Sequence, residues 1–221
     1  MGGAIGEILG NAVGVAVSPV PIIAVILMLF SASARLNSLA FLAGWLIGLT
    51  AVGLAVIAIG FDSASGDEAD SGGVVKVVIG VLLLLLAARQ WRTRPRGDEA
   101  PEMPGWMSTI DSLTAVRAFG LAIVLSVPNP KNLGLTVAAA TTVSGAGLST
   151  GQEVGTILVF VAIASVTIVV PVVAALVAGD RAEPALDSAK EWLVANNNTV
   201  MTVLFLVLGA KVLGDGLAVV A

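Results

Sequence analysis

The fold this sequence predicts is an all-α, polytopic membrane protein. It should have six transmembrane helices forming two inverted three-helix repeats, with helices 1 and 4 broken by proline. Three observations predict it. Of the 221 residues, 57% are hydrophobic and only 12% are charged, whereas soluble domains carry roughly 45–50% and about 25%. Six apolar stretches follow one another along the chain, as spans of about 20 residues would. The first and fourth stretches are longer, and each holds a proline pair near its middle: "SPVP" at Ser18 to Pro21 and "SVPNP" at Ser126 to Pro130. Period-2 alternation, the mark of a membrane β-barrel, is absent.

The first stretch runs from about Ile5 to Phe30. Its only early charge is Glu7, whereas a secretory signal opens on basic residues, so it reads as a first span. A straight helix of about 30 residues would reach roughly 45 Å, against about 30 Å of hydrocarbon, and a break at the prolines resolves the excess. Gly6, Gly10 and Gly14 recur every fourth residue, as do Gly44 and Gly48. That spacing predicts close helix approach.

The second stretch runs from about Leu39 to Phe61 and the third from Val74 to Ala88. A polar linker follows. The fourth stretch covers about Leu113 to Val143, the fifth Val154 to Ala178 and the sixth Thr199 to Val220. The domain reading is a first repeat over 1–90, a cytoplasmic linker over 91–112 and a second repeat over 113–221, all in one membrane domain. An odd number of spans per repeat reverses the second repeat, the layout of many secondary transporters with midplane sites at Gly/Pro-interrupted segments.

Charge sets the orientation. Arg35, Arg89, Arg92, Arg94, Arg96, Arg117, Arg181 and Lys190 fall on one side if the six spans are right, and the opposite loop around Asp62 is acidic. Basic loops stay cytoplasmic. The expected location is the cytoplasmic (inner) membrane, with both termini outside.

Composition also excludes chemistry. The chain has no Cys, His or Tyr, so it lacks thiol chemistry and the commonest general base and metal ligand. No acidic residue falls near the middle of a span, which argues against a metal carrier. The net charge of −4 and the absence of a long basic run argue against nucleic-acid binding. Neither enzymatic activity nor a cofactor is expected.

Lys131 is the sharpest candidate for function, because it sits near the middle of the fourth stretch, where an ionisable residue marks a site. Its alternative role is to tie carbonyls freed by Pro128 and Pro130. Pro19, Pro21, Pro128 and Pro130 free backbone groups at half-helix ends, which bind ions or polar head groups. Asn129 and Asn132 can satisfy freed backbone or contact a ligand. Ser18 and Ser126 can do the same, with the structural role favoured.

The segments "SPVPIIAVILMLFS", "LAFLAGWLIGL" and "SVPNPKNLGL" resemble the lysine-exporter superfamily. Within it they are similar to the actinobacterial glycopeptidolipid- or sulfolipid-addressing proteins. The most specific pieces are the paired proline motifs, Ala43 to Trp45, and Asn129-Pro130-Lys131. The resemblance covers nearly the whole chain. It implies six spans in inverted repeats and a role in moving cell-envelope lipids outward. It carries over Ser18, Pro19, Pro21, Pro128, Asn129, Pro130 and Lys131 as the site. The Cys pair of the superfamily's redox branch is missing.

The expected function is therefore export of a lipid or glycolipid with a polar or anionic head group. The alternatives are a small-solute or amino-acid exporter and a non-transporting scaffold for lipid-synthesis enzymes. Lipid-synthesis or envelope-export proteins as partners, and a homodimer, are compatible with this reading.

Overall fold

The computed structural model describes residues 1–59, 69–94, 110 and 113–220. Asp62 with its acidic loop, Arg96 and most of the 91–112 linker lie outside the described residues. All regular structure among the described residues is helical.

The first stretch forms α1 (Gly2–Ala16) and α2 (Pro19–Leu29), bent by 56° at the break. Pro19 and Pro21 have no N–H to donate to the carbonyls of Val15 and Val17, so α1 must end there. The same residues open α2 well, since a helix's first N–H groups have no partner within the helix. After α3 (Ala34–Ile59) and α4 (Ala69–Arg92), the fourth stretch breaks in the same manner into α5 (Ala115–Ser126) and α6 (Pro130–Ser144). The proline-broken helices expected at both places are present.

Two later elements differ from the sequence reading. The fifth stretch divides at Ser165 into α7 (Thr150–Ala164) and α8 (Val166–Ala178). The last helix, α9 (Glu183–Val220), begins well before Thr199, after a 3₁₀ turn at Gly179–Ala182. Hydropathy marks where a helix is greasy, not where it starts. The segment "EPALDSAKEWL" is polar but rich in helix formers, with acid in its first turn, so the helix continues through it.

Among the described residues, two helical runs are long and apolar enough to cross a membrane, Ala34–Ile59 and one within Val166–Ala218. The bent pair α1–α2 makes a third when taken as one span. Large apolar side chains also point outward, among them Ile47, Val116, Val124 and Val177. An outer face of this kind suits lipid.

The chain packs as two units. The first comprises Met1–Phe61 and Met103–Val194. Its core gathers Ile8, Val15, Ile23, Phe41, Trp45 and Phe160. α3 packs most broadly on α5, and glycine is what allows it. A Cβ on Gly44 would fall 2.5 Å from the Phe119 carbonyl oxygen, and one on Gly48 would fall 2.4 Å from Ser126 Oγ. Gly14 similarly admits Leu135 of α6. Gly6 and Gly10, expected to do the same, meet nothing among the described residues.

The second unit comprises Asp62–Glu102 and Ala195–Ala221, so it holds α4 and the later part of α9. Gly80 lies against the Leu213 backbone and Gly209 against Leu84. Asn198 Nδ2 donates to the Thr93 carbonyl at 3.1 Å, and the Arg94 guanidinium stacks 3.4 Å over Trp91.

Candidate functional site

The site grows from the end of α1. A helix leaves its last carbonyls without donors. Val17 N–H closes the final turn on the Val13 carbonyl at 2.9 Å. Four carbonyls then follow, those of Gly14, Val15, Ala16 and Val17. The donors that would continue the helix are lost: Ser18 N–H turns from Gly14 to Ala16, residues 19 and 21 are prolines, and Val20 N–H makes no bond to Ala16 among the described residues.

Side chains meet all four carbonyls. Lys131 Nζ donates to the Gly14 carbonyl at 3.0 Å and to the Val17 carbonyl at 2.8 Å. Ser18 Oγ donates to the Val15 carbonyl at 2.6 Å. Thr167 Oγ1, from the first turn of α8, donates to the Ala16 carbonyl at 2.8 Å. The third proton of Lys131 goes to Ser18 Oγ at 2.6 Å. An ammonium has three donors, and here all three are used. The charge also sits at the negative end of the α1 dipole, where a cation is favoured. Lys131 thus ties carbonyls freed at Pro19 and Pro21, not the ones at Pro128 and Pro130 that the sequence suggested.

Asn132, the next residue, serves the other break. Fully buried, it donates from Nδ2 to the Leu125 carbonyl at the end of α5, at 3.1 Å. Its Oδ1 lies 3.3 Å from Ser18 Oγ, but the single serine proton goes to the nearer Val15 carbonyl. One turn of α6 therefore reaches both breaks. Asn129 starts that turn as its N-cap, its Oδ1 accepting from Lys131 N–H at 3.1 Å.

The structure brings Ser18, Lys131 and Asn132 together, with Asn129 holding the helix that presents the last two. Pro19 and Pro21 lie buried behind them at the start of α2. Pro128 and Pro130 are exposed. Ser126 stays apart: its hydroxyl donates to the Ile123 carbonyl of its own helix at 3.2 Å, and it faces Gly48. The two serines of the matching motifs are not equivalent, since Ser18 is the N-cap of α2 and Ser126 is the last residue of α5. Trp45 is buried, and its indole N–H has no partner among the described residues.

Thr167 was not legible as part of this site. Its partner lies 151 residues away, and a threonine in an apolar helix is unremarkable. Only the break at Ser165, itself hidden in an unbroken apolar run, turns that residue toward α1.

The family model of Sap, sulfolipid-1-addressing protein (SfLAP), matches residues 8–218. No curated protein and no solved structure matches the chain. With nearly its whole length covered, the chain belongs to the sulfolipid-1-addressing family.

Proposed function

We propose that this member of the sulfolipid-1-addressing family is a membrane exporter for a lipid or glycolipid with an anionic head group. The observation that carries the reading is Lys131. Its ammonium bonds to three neutral oxygens and, among the described residues, to no carboxylate. A zwitterionic amino acid would need an anionic or carbonyl-rich partner for its own ammonium, and the carbonyls of Gly14 and Val17 are already taken by Lys131. A sulfate, phosphate or carboxylate needs only the cation. An anionic oxygen adds the Coulomb attraction of opposite charges to the hydrogen bond, so it can replace one of the three neutral oxygens that Lys131 now holds. Acyl chains need no polar partner and fit the apolar outer faces of the helices.

The second break supports a path for the head group. Pro128 and Pro130 are exposed there, and the carbonyls of Val124, Ser126 and Val127 receive no donor among the described residues. In a membrane such groups are tolerated where they are covered by protein or line a polar cavity.

In this proposal the chain forms six spans in two inverted repeats, as in the lysine-exporter superfamily. The basic end of α4 at Arg89 and Arg92, with Arg94 just after it, faces the cytoplasm, and the termini face outward. A cysteine at Thr93 should then escape an impermeant external thiol reagent, against a background free of native cysteine. External labelling there would reverse the orientation.

Transport itself is tested in vesicles. Acyl-labelled anionic and zwitterionic phospholipids of equal chain length are followed with an impermeant quencher. The expected outcome is protein-dependent movement of the anionic lipid, lost in Lys131→Ala. Movement of neither lipid, with uptake of basic amino acids instead, would replace this reading by small-solute export.

A further inference from the structure

We propose that the end of α1 is a binding site for a monovalent cation of ammonium or potassium size, which Lys131 fills with its own side chain. The Gly14 carbonyl, the Val17 carbonyl and Ser18 Oγ converge on one point at 3.0, 2.8 and 2.6 Å. That point is occupied by Nζ. All three ligands are neutral oxygens, and two are backbone carbonyls at the end of a broken helix. Such ends coordinate monovalent ions in membrane carriers. The helix dipole adds partial negative charge. A divalent ion would call for carboxylates, and none among the described residues contacts the point.

The oxygens do not depend on Lys131 for their direction. Pro19 and Pro21 hold the chain in its turn out of α1, and Pro21 has no N–H to offer the Val17 carbonyl one turn on. Ser18 Oγ is held by its own bond to the Val15 carbonyl, and Thr167 pins Ala16 between them. Truncating Lys131 therefore leaves a cage of three oxygens with the space the ammonium filled. A free cation or small amine can enter it. The site stands independently of lipid export. If export holds as well, a head group that draws Lys131 away would open the cage to a cation from solution, and lipid movement would be tied to that ion.

The test uses purified full-length protein and Lys131→Ala in the same detergent. Both are melted in ammonium, potassium, sodium or N-methylglucamine chloride at constant ionic strength. At ten times the apparent dissociation constant, ammonium should raise the variant's Tm by about 3–6 °C over N-methylglucamine, with saturation. The unaltered protein should not shift, because its cage is full. Adding Ser18→Ala should weaken the variant's apparent affinity about threefold or more.

Equal shifts in both proteins would overturn the proposal. So would N-methylglucamine stabilising the variant as well as ammonium does. If Lys131→Ala cannot be purified without the ion, Lys131→Ser takes its place, and extraction in ammonium should recover monodisperse protein. Aggregation of both variants in every salt would also overturn it, since the cage should accept a free cation.

Discussion

The two helix breaks begin from the same covalent problem and end differently. At the first, the four carbonyls from Gly14 to Val17 lose their helical donors, and Lys131, Ser18 and Thr167 restore every one. At the second, the corresponding carbonyls run from Val124 to Val127. Only that of Leu125 receives a side-chain donor among the described residues, from Asn132. The prolines follow suit, buried at the first break and exposed at the second. A Pro-x-Pro pair thus opens a helix but does not decide what becomes of the opening. Donors supplied from other segments decide that: α6 and α8 complete the first side, whereas the second receives Asn132 of α6 alone among the described residues.

This contrast ranks the substitutions. Lys131→Met removes the donor to two carbonyls while keeping much of the volume. Each buried group left unpaired costs about 1–3 kcal/mol, so a loss of about 2–4 kcal/mol is expected after the ammonium's own desolvation is relieved. Thr167→Val should cost less, about 1 kcal/mol, because the Ala16 carbonyl keeps its bond from Ser18 N–H at 2.9 Å. Asn129→Ala, which uncaps α6 at the open break, should cost about 1 kcal/mol or less. Chemical denaturation of the three variants in one detergent checks the order. If Asn129→Ala proved the most damaging, the second break would be the locked one and the comparison would invert.

Much of this was legible from residues. Proline without an N–H cannot sit inside a long helix, so "SPVP" and "SVPNP" announced both breaks. Lys131, charged within an apolar run, announced the cluster. The glycine spacing was a weaker guide. Gly44 and Gly48 face α5, but Gly6 and Gly10 meet nothing among the described residues, because a four-residue spacing names a helix face without saying whether anything lies against it. The partners of Lys131 could not be read either. The contacts from Nζ to Gly14 and Val17 span 117 and 114 residues, and nothing local distinguishes ties to those carbonyls from ties to the ones beside Pro128. The long polar start of α9 and the division at Ser165 escaped for a related reason. Hydropathy averages over a window, and both features lie below its resolution.

The contact between Lys131 Nζ and Ser18 Oγ at 2.6 Å joins the two halves of the chain at the closed break. A double-mutant cycle of Lys131→Met and Ser18→Ala, read by equilibrium unfolding, measures that link directly. The predicted coupling energy is about 1–3 kcal/mol, the range for neighbours in one hydrogen-bond network. Losses that add to within about 0.5 kcal/mol would mean that Lys131 does not hold the end of α1, and the account of the first break would fail.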